Sequence, residues 1–200
     1  MKHILLSILR NKNTNISQYR DASEKLGLIL AQETSQFLEK KEETIETPIA
    51  KATGIKFKNN IILIPILRSG LVLMNSFLKF YENADVGFVG MKRDEKTAIA
   101  KLYYKNLPKI SPTDDVIVLD PMIATGGSGT AALEILKEEG IQEDKIIFVA
   151  VIASQEGLDC IKNKFPKIKL TVVQTDKELN EQKFIVPGLG DFGDRYFGTL

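Results

Sequence analysis

The chain has 200 residues, 44% of them hydrophobic, which is enough to bury one well-packed core and too few for two comfortable domains. Lys+Arg number 27 and Asp+Glu 26, a formal charge of +1, so bulk charge makes no case for nucleic acid or an anionic membrane as partner. The apolar runs fall far short of a bilayer span, and a single cysteine, Cys160, with a single histidine, His3, excludes an internal disulfide and a histidine-rich metal site. We therefore expect one cytoplasmic domain over residues 1–200.

His3 to Arg10 is apolar then basic, and Asn11 to Asn15 reads as a polar turn. Ser17 is placed to cap a helix whose apolar positions Ala22, Leu26, Ile29, Leu30, Phe37 and Leu38 keep a helical period to about Lys40. Glu42 to Lys58, punctuated by Pro48 and Gly54, fits a hairpin or a loose strand pair and takes no single assignment. Ile61 to Pro65 is a buried strand that runs through Arg68-Ser69-Gly70 into a helix from about Leu71 to Tyr81. There Gly70 lets the backbone approach a ligand closely, and Arg68 places a cation at the strand's carboxyl end.

Asp85 to Met91 is the next strand. The charged run Lys92 to Thr97 and the alternating segment Ala98 to Lys105 follow it as an extended arm or hairpin, either a lid or a solvated face. Lys145 to Ala153 and Ile168 to Gln174 are further strands, separated by a helix over Gln155 to Phe165. Strands alternating with helices predict an α/β fold: a mostly parallel central sheet with helices on both faces, whose ligands sit at the carboxyl ends of the strands.

The stretch Val116 to Thr130 carries the chemistry. Four apolar residues, Val116 to Leu119, make a strand, Asp120 closes it, and a glycine-rich turn feeds a helical run from Thr130 to Glu139. Amides of such a turn converge where the helix dipole favours an anion, and the hydroxyls of Thr125, Ser128 and Thr130 can add donors. Asp120 can accept hydrogen bonds from a sugar diol or help hold a cation. The stretch thus suits a ligand with both phosphate and ribose. A P-loop would need Lys-Ser/Thr after the glycines, and none is present. Gly127-Ser128-Gly129-Thr130-Ala131-Ala132 satisfies a loose dinucleotide fingerprint, but Pro121 to Thr125 intervene after the strand and the next strand ends without an acid.

Arginines are the marked choice in this lysine-rich chain: Arg10, Arg20, Arg68, Arg93 and Arg195, five against 22 lysines. Their planar fork grips phosphate or carboxylate at two points, whereas ordinary ion pairs fit Arg10 and Arg20 better. The tail from Ile185 to Thr199 holds four of the 14 glycines and reads as a compact, ordered loop that meets a flat ligand edge-on or docks to finish the core.

An acid at a strand end followed by Thr-Gly-Gly-Ser resembles the phosphoribosyl diphosphate signature of the phosphoribosyltransferases. Asp120 to Ser128, Pro65-Ile66-Leu67-Arg68-Ser69-Gly70-Leu71 and Ile185-Val186-Pro187-Gly188-Leu189-Gly190-Asp191 together resemble the uracil phosphoribosyltransferases. Echoes at Arg10 to Thr14, Lys92 to Thr97 and Leu179 to Glu181 spread the likeness over nearly the whole chain.

The resemblance implies a type I phosphoribosyltransferase-like fold with a protruding hairpin arm and a C-terminal base-binding loop. It implies transfer of the 5-phosphoribosyl group from phosphoribosyl diphosphate to N1 of uracil, giving UMP and diphosphate. The implied donor-binding residues are Asp120, Pro121, Met122, Ile123, Ala124, Thr125, Gly126, Gly127 and Ser128 for the ribose 5-phosphate, and Arg68 and Arg93 for diphosphate. Ile185, Gly190, Asp191 and Phe192 would line the uracil pocket, with Asp191 also facing the donor. Asp120, Arg68, Arg93 and Asp191 form the implied catalytic set. The cofactor would be Mg²⁺, held mainly by the donor rather than by direct protein ligands, and the assembly a homo-oligomer, dimer or tetramer, without nucleic acid or membrane.

Three departures stand out. Phe192 takes the place of a common alanine and bears on pocket width. The arm reads Lys92 before Arg93 and Lys96 before Thr97 instead of the usual tyrosine and acidic pattern. Ser154-Gln155 replaces an alanine-proline pair, a change with no expected consequence for the chemistry. Two alternatives remain: a nucleotide-sensing regulator of the same fold that binds RNA, and a transferase for another base.

Overall fold

The computed structural model describes residues 1–93 and 100–199, with the Arg93 side chain outside that description. Two helices open the chain, α1 (Lys2–Arg10) and α2 (Ile16–Thr34). Asn15, not Ser17, caps α2, through a capping box in which Asn15 Oδ1 accepts from the Gln18 N–H at 2.9 Å and Gln18 returns the contact to the Asn15 N–H. This helix stops short of Lys40, because Ser35–Phe37 tighten into a 3₁₀ turn and Leu38 is extended. The unassigned stretch then resolves as an antiparallel hairpin of β1 (Lys40–Glu46) and β2 (Lys51–Phe57).

The remaining elements follow in order: β3 (Ile61–Leu67), α3 (Leu71–Phe80), β4 (Asp85–Val86), β5 (Phe88–Arg93), β6 (Ala100–Asn106), β7 (Asp115–Leu119), β8 (Met122–Ile123), α4 (Gly127–Glu138), β9 (Ile146–Ser154), α5 (Gln155–Lys164), β10 (Lys169–Asp176), β11 (Glu178–Leu179), β12 (Ile185–Val186) and α6 (Phe192–Phe197). The expected strand over 85–91 is interrupted at Gly87, where a Cβ would lie 2.8 Å from both Ile64 and Pro108. The tail is not one loop, since it contains the β11–β12 pair and the short helix α6.

The main sheet runs β10-β9-β7-β3-β5-β6, all parallel except the β5–β6 pair, with β4 and β8 attached to β3 and β9. β3, β7 and β9 are buried almost throughout, which is why they read as apolar runs rather than alternations. Alternate side chains serve opposite faces. Leu63, Ile117 and Val149 pack with Leu26 of α2 and Leu73 and Phe77 of α3, while Ile64, Val118 and Phe148 pack with Leu133 and Leu136 of α4 and Ile161 of α5. The expected two-faced α/β sheet is therefore present.

The chain builds β5 on one side of β3 and then returns to lay β7 on the other. Such a reversal leaves a crevice at the carboxyl ends of the two strands. The register pairs Ile64 with Val118 and Pro65 with Leu119, so the loops after β3 and β7 leave the sheet side by side. That register brings Arg68-Ser69 beside Asp120.

Candidate active site

Asp120 sits where β7 ends, only 8% exposed. The Ser69 hydroxyl donates to its Oδ1 at 3.2 Å and the Met122 N–H to the same oxygen at 3.3 Å. Burial pushes its carboxyl up to about 7; the Met122 and Ser69 hydrogen bonds pull it partly back, and the charge of Asp191 adds to the push. A carboxylate so placed gains from any ligand that brings hydroxyl donors or positive charge.

Past Asp120, β8 pairs with β9 and the chain turns through Gly126, whose φ of 79° is the left-handed conformation that favours glycine. A Cβ there would also meet the Gly157 carbonyl oxygen at 2.7 Å. Helix α4 begins at Gly127, three residues before the expected start, and no side chain caps it. The Gly127 N–H makes only a loose contact with Thr125 Oγ1 at 3.4 Å, so the amides of this first turn can still turn to an anion. A cavity of about 90 Å³ lies against this turn, lined by Asp120, Met122 to Gly129 and Phe148. Thr125 and Ser128 face this cavity, whereas the Thr130 hydroxyl turns to Cys160 Sγ at 3.7 Å.

Ser154 is fully buried and braces the turn from behind. Its hydroxyl donates to the Ala124 carbonyl at 2.5 Å and accepts from the Gly157 N–H at 2.9 Å, capping α5. The replacement for an alanine therefore has a structural consequence that the sequence comparison did not anticipate. Gly70 also serves differently from expectation. A Cβ on it would lie 2.3 Å from the Leu119 carbonyl oxygen, so it admits the backbone of the neighbouring strand rather than a ligand.

A second cavity, about 520 Å³, adjoins through Ser69 and is lined by Leu67, Arg68, Met91, Lys92, Tyr103, Asp191 and Gly193. The Arg68 side chain is 62% exposed and, among the described residues, makes a loose contact with Asp194 at 3.4 Å, so its guanidinium is accessible to an anion. Lys92 and Tyr103 are residues that sequence reasoning did not select. Gly90 is the available signal for Tyr103, because a Cβ there would lie 2.7 Å from the tyrosine Cζ and the ring needs that space.

Asp191 joins the same cavity and caps α6 by accepting from the Asp194 N–H at 2.8 Å. Gly188 and Gly190 carry positive φ, 60° and 81°, and shape the turn before it. Ile185 is buried, and Phe192 is fully buried with its ring edge-on to Tyr19 at 5.3 Å. The Phe192 side chain thus packs into the core against α2, while its neighbours Asp191 and Gly193 line the cavity. Arg10 and Arg195 bind beneath this turn, while Arg20 donates to the Tyr196 carbonyl at 2.9 Å.

The structure therefore brings Arg68, Asp120, Asp191 and the turn from Met122 to Ser128 to one rim of the sheet. The arm's charged run, Asp94 to Thr97, and the Arg93 side chain lie outside the described residues. Among the described residues no group of three or more His, Cys, Asp or Glu could hold a metal ion, and no helix is long and apolar enough to cross a membrane.

The chain has known relatives in both sequence and fold. A protein from Aquifex aeolicus of solved structure superposes with a TM-score of 0.91 at 33% identity, covering 98% of this chain and 93% of that one. A hypoxanthine-guanine phosphoribosyltransferase from Bacillus anthracis shares the fold alone, with a TM-score of 0.51 at 14% identity over 80% of each chain. The uracil phosphoribosyltransferase of Campylobacter fetus subsp. fetus (strain 82-40) is 40% identical over 195 residues, 98% of this chain and 92% of its own length. The family model described as uracil phosphoribosyltransferase matches residues 1–199. With that match running through the cradle, the strand-end arginine and the glycine-rich tail alike, the chain belongs to the uracil phosphoribosyltransferase family.

Proposed function

We propose that this chain acts as one domain to transfer the 5-phosphoribosyl group of phosphoribosyl diphosphate to N1 of uracil, forming UMP and releasing diphosphate. The observation that carries the reading is the juxtaposition of a buried carboxylate, Asp120, with an uncapped glycine-rich helix start on one rim of the sheet. Ribose and phosphate are the two groups that such a pair accepts together.

In this reading the amides from Thr125 to Ser128 receive the 5-phosphate, with the hydroxyls of Thr125 and Ser128 as further donors. Pro121 to Ala124 shape the floor, and Asp120 receives the ribose hydroxyls. Bond breaking at ribose C1 leaves positive character on the sugar and adds charge to diphosphate. Arg68, and Arg93 on the strength of family resemblance, hold that leaving group. By the family resemblance Mg²⁺ would be carried mainly by the donor's own oxygens, with Asp120 and Asp191 as the carboxylates nearest that site. When bound, Mg²⁺ would neutralise charge on the diphosphate.

Uracil presents acceptor, donor and acceptor along one edge, and backbone around Gly190 and Asp191 can answer with N–H, C=O and N–H, with Ile185 and the Phe192 backbone completing the pocket. Uracil's N1 proton is fairly acidic, so in this reading orientation of the base carries the step and no dedicated general base is assigned. Cytosine would leave a mismatched polar group, at a cost of about 1–3 kcal/mol. The family likeness supports a homo-oligomer, dimer or tetramer, working in the cytoplasm without nucleic acid or membrane.

The test is to incubate purified protein with donor and Mg²⁺ and, separately, uracil, cytosine, hypoxanthine or orotate, and to identify products by chromatography. UMP from uracil with little or no product from the others supports the proposal. Turnover of another base in preference to uracil, or of none, refutes it.

A further inference from the structure

Two arginines outside the catalytic set converge beneath the turn that precedes Asp191. Arg195 Nη1 donates to the Leu189 carbonyl at 2.8 Å and also to the Leu9 carbonyl, and its Nη2 donates to the Asn11 carbonyl at 2.7 Å. Its guanidinium lies over the Tyr19 ring, 4.4 Å from the centroid, and Tyr19 in turn packs edge-on against Phe192. The Arg195 Cδ would stand 3.5 Å from a Cβ placed on Gly190, directly under the exposed part of the turn.

Arg10 works from the other side. Its Nη2 and Nη1 donate to the two oxygens of Asp176 at 2.7 and 2.9 Å, and Nη1 also reaches the Gly188 carbonyl at 3.1 Å. Asp176 Oδ2 accepts from the Gly188 N–H at 2.9 Å. Burial works against the Asp176 charge, but the hydrogen bonds from Arg10 and Gly188 outweigh it and hold the carboxyl below its usual range. Both polar groups of Gly188 and the carbonyl of Leu189 are thus fixed by side chains.

The segment needs that support, because it lies between β12 and α6 with glycines in the left-handed region at 188 and 190. Glycine at such positions has more conformational freedom to lose than any other residue. Where Gly190 and Asp191 point is therefore decided by the framework that holds Gly188 and Leu189.

We infer that Arg195 and the Arg10–Asp176 pair are positioning residues for base selection, setting the height and tilt of the Gly190–Asp191 backbone edge that receives the nucleobase. The inference rests on the proposal that this turn receives uracil. It assigns the arginines no contact with substrate. Their effect is on recognition of the base, with the donor cradle at Asp120 and α4 left as it is.

The test is steady-state kinetics of the full-length chain carrying Arg195→Lys, and separately Arg10→Lys. Lysine keeps the charge but cannot bind several carbonyls in one plane. We expect KM for uracil to rise about tenfold or more and the preference for uracil over cytosine to fall, with KM for the donor within about twofold of the parent. Arg10→Lys carries the test if Arg195→Lys does not fold. Equal rises in both KM values, no change in either, or loss of folding in both variants would overturn the inference by making the arginines general supports of the tail or idle. Failure of the functional proposal would look different: the unaltered protein would make no UMP.

Discussion

In the proposed reaction much of the chemistry rests on one buried carboxyl group, Asp120. Burial raises its folded-state value from 3.8 to about 7, so the folded chain binds that proton more readily than the unfolded chain does. Below about pH 4 the group is protonated in both states and costs nothing. As pH rises to 7 the unfolded chain gains by ionising first, so stability falls across that window and the penalty is complete above it. Asp120→Asn should therefore stabilise the ligand-free protein at pH 8 by on the order of 2–4 kcal/mol, and little at pH 4, as read by urea unfolding. The same substitution should cut turnover by about a hundredfold or more, because the ribose loses the negative charge and one of the two acceptor oxygens, and meets an NH₂ donor in its place. In the parent, kcat/KM for the donor should rise with pH to a plateau above about 7.

Ser154 makes a separate prediction. Ser154→Ala leaves the half-buried Ala124 carbonyl without its donor and α5 without its cap, which should cost about 1–3 kcal/mol of stability and raise KM for the donor. An unchanged urea midpoint would show that the brace contributes nothing.

At the scale of elements, strands were the most legible part of the sequence. β3, β7 and β9 are buried on both faces, and continuous runs such as Val116 to Leu119 have few other places to go in a chain of this size. The β1–β2 hairpin was legible only as one of two options, hairpin or loose strand pair, because its residues are nearly all exposed and leave no burial pattern to fix it. The start of α4 was misplaced because glycines are poor helix formers, yet Gly127 to Gly129 make the first turn once Gly126 has reversed the chain.

Two glycines test that packing account. A Cβ on Gly70 would meet the Leu119 carbonyl oxygen at 2.3 Å, so Gly70→Ala should lower stability by about 2–3 kcal/mol or more, with the urea midpoint as readout. A Cβ on Gly127 would find only the Thr125 hydroxyl at 3.5 Å, so Gly127→Ala should leave stability equal or up to about 1 kcal/mol higher, with any loss confined to donor binding.

For the whole molecule, function follows from where the sheet reverses its order. The register of β3 with β7 delivers Arg68-Ser69 next to Asp120, and α6 brings Asp191 to the same rim from the far end of the chain. Strand ends and the glycine-rich turn identified Arg68 and Asp120 singly, and family resemblance added Asp191 and grouped the three. The framework beneath the tail could not be read that way, because Arg10 and Asp176 lie 166 residues apart and ion pairs leave no periodic trace. The direction of the Phe192 ring was illegible for a related reason, since a residue type does not say which way its ring turns, and here Tyr19 of α2 receives it.

The central claim is that one rim of this sheet grasps an activated sugar between a carboxylate and a set of amides. The most direct measurement is a crystal structure of the protein with phosphoribosyl diphosphate and Mg²⁺. The account predicts density for the 5-phosphate against the amides of Thr125 to Ser128, the ribose hydroxyls at Asp120 and the diphosphate within reach of Arg68. Donor bound elsewhere, with Asp120 still contacting only Ser69 and Met122, would contradict it.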